Sequence, residues 1–333
     1  VAEPRYYPYF DYLRAFAALG VFVAHADKYH YLPPQLQLGN ACVQLFFTLS
    51  GFLIGGILLR SHPMDLPRFY FNRAARIWIP YAIAIALLAL ATALKQGFHD
   101  PKFGEFFIYM GTFVYNWFGP PQLAASQSRM PLDGTGNHFW SICVEEQFYL
   151  VAPFLILFTP RIVLAAGLVA ATLFSPLYFL SISLGVALAL VGPRAWLIAV
   201  SASAGVVLVI AGGPYIAASA TLSLAIVCIF ARLPGSATTF GRIVGGASYP
   251  FYLNHWIGLF AINAAMHLKA PYWMAWITGL LIAVALSVLH FIFIDRTIAA
   301  KRDKWFSPRT GYVLCTSGVL LVAAGMIYGL KND

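Results

Sequence analysis

The sequence predicts an all-α protein embedded in a membrane nearly throughout. Three observations carry that expectation. Of the 333 residues, 60% are hydrophobic and only 10% are charged, against roughly a quarter charged in soluble domains. Apolar runs near twenty residues, the length a helix needs to cross a bilayer, recur from one end of the chain to the other. The basic residues gather on alternate connections between those runs, as the positive-inside rule expects. The net charge of +9 is therefore a mark of topology rather than of nucleic-acid binding. The four cysteines, Cys42, Cys143, Cys228 and Cys315, stand singly in apolar segments, without metal-ligand spacing or a disulfide framework.

The runs place spans near 9–28, 41–60, 77–95, 138–159, 161–179, 181–192, 195–212, 215–231, 247–267, 272–294 and 311–330. The first keeps Asp11 and Arg14 and lacks a small-residue cleavage site, so it reads as a retained helix rather than a signal peptide. The segment 181–192 is short, and a re-entrant course fits it as well as a crossing. The aromatic stretch 104–119 is also short, and charge decides its course. With the N-terminus cytoplasmic and 104–119 not crossing, the cytoplasmic side holds Arg5, Arg60, Arg68, Arg73, Arg76, Arg161, Arg194, Arg232, Arg242, Arg296, Lys301, Arg302, Lys304 and Arg309. The opposite side holds Lys28, Lys95, Lys102, Arg129, Lys269 and Lys331. That sorts the 21 basic residues as 14 inside and 6 outside, with Arg14 within the first span. The expectation is eleven helices, N-terminus inside and C-terminus outside, with no internal repeat, low-complexity tract or soluble domain.

Ionisable groups inside a bilayer cost several kcal/mol unless they serve a site or find a partner. Arg14 and His25 lie eleven residues apart on the first span; at 100° per residue they share a face, separated by about 16 Å along the axis. An arginine at the cytoplasmic end suits a phosphate, and a histidine at depth suits a general base. The structural alternative pairs Arg14 with Asp11 at i, i+3 and leaves His25 as an end residue near Asp27 and Lys28. Arg73 and Arg76 stand one turn apart at a helix entry, where a guanidinium cluster suits an anionic nucleotide; topogenic charge and lipid headgroups are the alternative. The span opening His138-Phe-Trp-Ser141-Ile-Cys-Val-Glu145-Glu146 puts His138, Ser141 and Glu145 on one face. Two adjacent carboxylates in an apolar helix are hard to explain structurally. A carboxylate at that depth suits holding an imidazole tautomer, so Glu145 is expected to orient His25. Ser248, Tyr252 and His255 form a polar stripe, readable as a site or as a hydrogen-bonded seam between helices. Gly51, in Phe47-Thr-Leu-Ser50-Gly51, permits close backbone approach. Trp117 is a candidate for sugar stacking, with interfacial anchoring as the alternative.

Together these segments resemble the acyltransferase-3 family of bacterial integral-membrane acyltransferases. The resemblance rests on five motifs in the family's order: the Arg14 to His25 helix; Phe47 to Phe52; Arg73-Ala-Ala-Arg76 followed by Pro80; Trp140 through Glu145 and Glu146 to Tyr149; and Ser248 through Tyr252 to His255. It implies a ten-helix core over 1–296 as a transmembrane acyltransferase domain, with 297–333 adding a basic cytoplasmic linker and an eleventh helix. It further implies O-acylation of carbohydrates on surface polysaccharides, usually acetylation, with acyl-CoA as cytoplasmic donor and the bacterial inner membrane as location. Two departures stand out. Ile294-Asp295-Arg296-Thr297 has an Asp and no Pro where the family often has a Glu near a Pro, so no role is carried over there. An eleventh helix also stands where some members append an esterase-like domain.

The mechanism expected is docking of acetyl-CoA or another acyl-CoA as a donor substrate, with no permanently bound cofactor or metal. Its phosphates meet Arg14, Arg73 and Arg76, and its pantetheine threads between helices so that the thioester reaches His25. His25 acts as base, Glu145 orients it, and Ser141 or Tyr252 donates to the oxyanion. Glu146, Tyr252, His255 and Trp117 are the expected acceptor-side residues, the partners being a polysaccharide or lipid-linked glycan and membrane lipid. An acyl-enzyme on His25 or Ser141 is a competing route. Two other classes remain open: a proton-coupled transporter of a small metabolite or lipid-linked glycan, and a glycan-binding scaffold that has no need of His25.

Overall fold

The computed structural model describes residues 6–27, 29, 31–97, 101–119, 130–174 and 177–332. Arg5, Lys28 and Arg129, which enter the charge count above, lie outside the described residues. The described residues are overwhelmingly helical and contain no strand. In chain order the helices are α1 (Pro8–Ala26), α2 (Leu38–Leu58), α3 (Leu66–Lys95), α4 (Pro101–Gly111), α5 (Tyr115–Phe118), α6 (Trp140–Phe158), α7 (Arg161–Phe174), α8 (Leu177–Val191), α9 (Ala195–Ile210), α10 (Tyr215–Arg232), α11 (Thr239–His267), α12 (Tyr272–His290), α13 (Arg296–Trp305) and α14 (Pro308–Asn332). A π-helical turn, Phe291–Asp295, joins α12 to α13. Six of the described helical stretches are long and apolar enough to cross a membrane, and α7, α8 and α9 contribute shorter apolar helices. The protein is an all-α polytopic membrane protein.

The expected spans fall on helices except 161–179, which covers α7 and the start of α8, and two helices begin well before their apolar runs. Arg68, Asn72, Arg73 and Arg76 interrupt the hydropathy of α3, yet they are helical from Leu66 onward. Likewise α11 starts at Thr239, whose N-cap Thr238 accepts from the Gly241 amide at 2.9 Å. Hydropathy marks only the part of a helix that sits in hydrocarbon. The stretch 104–119 folds as α4 and the single turn α5. At eleven residues α4 is about 16 Å long, roughly half the hydrocarbon thickness.

The chain divides into two compact units, Val1–His62 with Pro153–Phe291, and Pro63–Ala152 with Ile292–Asp333. In the first, α1 packs on α2 and α11, α11 on α12, and α2 on α8. Its core gathers Ala18, Phe22 and Ala26 of α1 against Phe251, Ile262, Ala275 and Ala283. Apolar side chains at i, i+4 and i+8 leave the flanking positions of α1 to its polar residues. The α2–α8 crossing is at backbone distance. A Cβ on Gly51 would run into the Ile182 carbonyl, and one on Gly185 into the Thr48 carbonyl, so the close approach expected at Gly51 is realised. Beside it, Ser181 donates to Gln44 Oε1 at 2.6 Å, both side chains buried.

In the second unit, α3 packs against α4, α13 and α14. Tyr81 donates to the Met110 carbonyl at 3.2 Å and Tyr70 to the Leu150 carbonyl at 3.0 Å. The α14 contact is lined by four buried glycines, Gly311, Gly318, Gly325 and Gly329. A Cβ on Gly311 would strike the Pro67 backbone, one on Gly318 would come within 2.7 Å of Leu150 and 3.2 Å of Trp78, and one on Gly325 would meet Thr112. Arg68 pairs with Asp303 and lies 4.5 Å over the Phe306 ring, tying the start of α3 to the α13–α14 junction.

Candidate active site

In the first unit the polar groups of α1 sit at its two ends. Arg14 pairs with Asp11 at 3.2 Å and also donates to the Phe10 carbonyl at 3.3 Å. Asp11 is buried, held by Tyr6, whose hydroxyl donates to Oδ2 at 2.5 Å. Burial first, and then that carboxylate, raise the Tyr6 hydroxyl above its usual 10. The Arg242 guanidinium stands 5.8 Å over the Tyr6 ring, adding to this end a second arginine that the sequence marks only as topogenic charge. The i, i+3 pairing of Arg14 is thus present; helix α1 is continuous from Pro8 to Ala26, which keeps the rise to His25 at about 16 Å.

At the far end of α1, His25 Nδ1 lies 3.0 Å from Nε2 of His255. The planes differ by 18° and the centroids are 5.2 Å apart. Because the centroids are about 2 Å farther apart than the facing nitrogens, the rings meet edge to edge, nearly coplanar, as a ring N–H aimed at a nitrogen lone pair requires. His25 is exposed while His255 is 1% exposed. On its other side His255 Nδ1 is 2.7 Å from the Tyr252 carbonyl. Helix geometry brings this carbonyl, three residues back on α11, under the ring. Tyr252 is buried, edge-on to Phe46. Spacing alone assigns His255 an acceptor-side role and misses the pairing; an ionisable ring at the centre of an apolar helix is the available signal.

The backbone around His25 is anchored. Asp27 accepts from the Tyr31 and Leu32 amides, each at 2.9 Å, and the Tyr272 hydroxyl donates to the Ala26 carbonyl. Tyr29 packs edge-on to Tyr272 at 4.7 Å, and Tyr29 and Tyr31 are exposed. Deeper in the unit, Asn254 Nδ2 meets His290 Nδ1 at 3.1 Å and the Pro250 carbonyl at 3.0 Å.

The other candidate residues belong to the second unit. Arg73 is in electrostatic range of Arg76, Tyr149, Glu146 and Arg302, and Asp295 in range of Arg76. The RxxR spacing is legible in the sequence; Arg302, which α13 brings to it, is not. Glu146 is 3% exposed, and its Oε2 accepts from the Trp78 indole at 2.7 Å. Its Oε1 is buried with no hydrogen-bond partner among the described residues. Glu145 accepts from the Tyr149 hydroxyl at 3.1 Å, and Ser141 Oγ donates to the His138 carbonyl at 3.1 Å. Trp117 is exposed, its indole donating to Gln147 Oε1 at 3.0 Å, while Gln147 Nε2 donates to Asn116 at 2.8 Å and the Phe113 carbonyl at 2.6 Å. Glu145 is expected from the sequence to orient His25; within the first unit the group facing His25 Nδ1 is His255. The four cysteines are free.

Residues 7–292 match the model of a family described as an acyltransferase domain of the acyltransferase-3 type. This chain belongs to the acyltransferase-3 family. The acyltransferase-3 chain is also similar to the O-acetyltransferase OatA of Staphylococcus aureus, strains NCTC 8325, COL and MRSA252. It is 32% identical to each over 167 residues, which cover 47% of this chain and 26% of the relative. The match thus spans about a quarter of the length of those relatives. No solved structure matches the chain.

Proposed function

We propose that this protein is a membrane O-acyltransferase that moves an acyl group, acetyl foremost, from cytoplasmic acyl-CoA to a sugar hydroxyl of a surface or extracellular polysaccharide. The observation that carries the reading is the His25–His255 contact, an exposed ring whose Nδ1 is engaged at 3.0 Å by a buried partner. The similarity to proteins named O-acetyltransferase supports the choice of acyl group and of a hydroxyl acceptor.

In this reading the donor's phosphates meet the arginines of the second unit, Arg73, Arg76 and Arg302. The hydroxyl oxygen bonds to the thioester carbonyl carbon while His25 Nε2 takes its proton; the C–S bond then breaks, and the thiolate leaves with the proton from His25. Within the first unit His255 backs the imidazole. Two exposed aromatic surfaces suit a sugar ring, the tyrosines following His25 and Trp117.

The test is thiol release from acetyl-CoA by the protein in lipid, with and without a bacterial surface-glycan extract. Glycan-dependent release is expected, and His25→Ala is expected to lower it by about 10²- to 10⁴-fold, the span of general-base catalysis. No release with any of a range of acyl donors overturns the reading in favour of a transporter. Mass spectrometry after quenching with donor alone separates direct transfer, which leaves the protein unmodified, from an acyl-enzyme.

A further inference from the structure

We propose that His255 is a positioning residue that locks His25 in the Nδ1–H tautomer, so that the lone pair of Nε2 faces the substrate. This rests on the reading of His25 as the base. A backbone carbonyl sets the hydrogens of both rings. The Tyr252 oxygen is only an acceptor, and at 2.7 Å it requires that Nδ1 of His255 carry a hydrogen. A neutral imidazole has one N–H, so Nε2 of His255 presents a lone pair. Nδ1 of His25 lies 3.0 Å from that lone pair, with the rings edge to edge. It must therefore be the donor. The one hydrogen of neutral His25 is then committed to Nδ1, and Nε2 is left able to take a proton.

The placement of the two residues fits this division. His255 is 1% exposed and Tyr252 5% exposed, so water does not compete for the Tyr252 carbonyl or for the lone pair of His255. His25 is the exposed member. The backbone on both sides is fixed: His255 lies in the middle of α11, and the end of α1 is tied by Tyr272 to the Ala26 carbonyl. When Nε2 of His25 takes the hydroxyl proton, the Nδ1–H bond to His255 becomes charge-assisted and stronger. His255 thus aids the step without touching the reacting atoms.

The experiment uses the full chain in lipid with ring-¹⁵N-labelled histidine, the His25 resonances being assigned by their loss in His25→Ala. His25 is expected to be protonated at Nδ1 in the wild type and to shift toward the ordinary Nε2–H tautomer in His255→Phe, which keeps ring bulk and lacks an acceptor. In the thiol-release assay His255→Phe is expected to lower kcat about 10²-fold with the KM for acetyl-CoA unchanged, comparable to losing other partners that orient a functional imidazole. His255→Gln, whose amide oxygen accepts from Nδ1–H, is expected to recover most of that loss. A wild-type His25 protonated at Nε2, or an unchanged kcat in folded His255→Phe, overturns the proposal. Full activity in His25→Ala overturns instead the reading of His25 as base, and the tautomer measurement tells the two failures apart.

Discussion

Glu146 sits in a demanding environment. Its carboxyl group is 3% exposed, one oxygen accepts from Trp78 at 2.7 Å, and the other has no hydrogen-bond partner among the described residues. A buried polar group that loses its partner costs about 1–3 kcal/mol. Trp78→Phe is therefore expected to destabilise the protein by about that amount, read as a lower Tm in detergent. An unchanged Tm would mean that the indole bond is not what makes this burial tolerable. The sequence foretells that one of the adjacent glutamates is special, because a carboxylate in an apolar helix always needs a reason. It does not say which, since neighbouring positions such as Glu145 and Glu146 differ by only about 100° around a helix. The His25–His255 contact is illegible for a different cause: 230 residues separate the two rings, and one-dimensional spacing carries no information about which helices meet.

At the scale of elements, hydropathy locates all the apolar helices but none of their contacts. What decides several contacts is the absence of side chains. On α14, Gly311 meets the start of α3, Gly318 faces Leu150 and Trp78, Gly325 meets Thr112 and Gly329 meets Phe118. Gly318→Leu is expected to cost about 1–3 kcal/mol through overpacking, and to disturb Trp78 together with its bond to Glu146. Gly167 of α7 has open space where a methyl group would sit, with nothing within 4 Å, so Gly167→Ala is expected to be neutral or to stabilise by up to about 1 kcal/mol through helix propensity. The pair is compared by thermal unfolding in one detergent. Equal effects would show that helix propensity, and not the α14 contact, governs glycine positions in this protein. Arg302 illustrates the same gap, since in the sequence it is one basic residue in a charged helix, and the fold brings it within electrostatic range of Arg73.

For the whole molecule, charge asymmetry predicts which connections face the cytoplasm. Ser236, between α10 and α11, is expected inside, and His267, at the end of α11, outside; both are exposed. In intact cells an impermeant thiol reagent is expected to label His267→Cys and to leave Ser236→Cys unlabelled until the membrane is opened. The reverse pattern would invert the topology and with it the side from which the proposed acyl-CoA would reach the arginines. Three of the four native cysteines are buried, which keeps the background low. Fold class is readable because the bilayer imposes one length and one composition on every crossing segment. The site is readable only as separate motifs, because tertiary geometry turns a list of polar residues into chemistry.

The glycines of α14 also act as an index mark. Three of them recur every seven residues, at 311, 318 and 325, and the fourth follows four later at 329, so they form a line along one edge of the helix. The positions one residue on are Tyr312, Val319, Met326 and Leu330, all too large for the same groove. A rotation of α14 by one residue in that sense is thus blocked. This fit comes without freezing rotamers, since glycine has none to lose. The glycine line thus seats α14 against several neighbours at once, from Pro67 to Phe118.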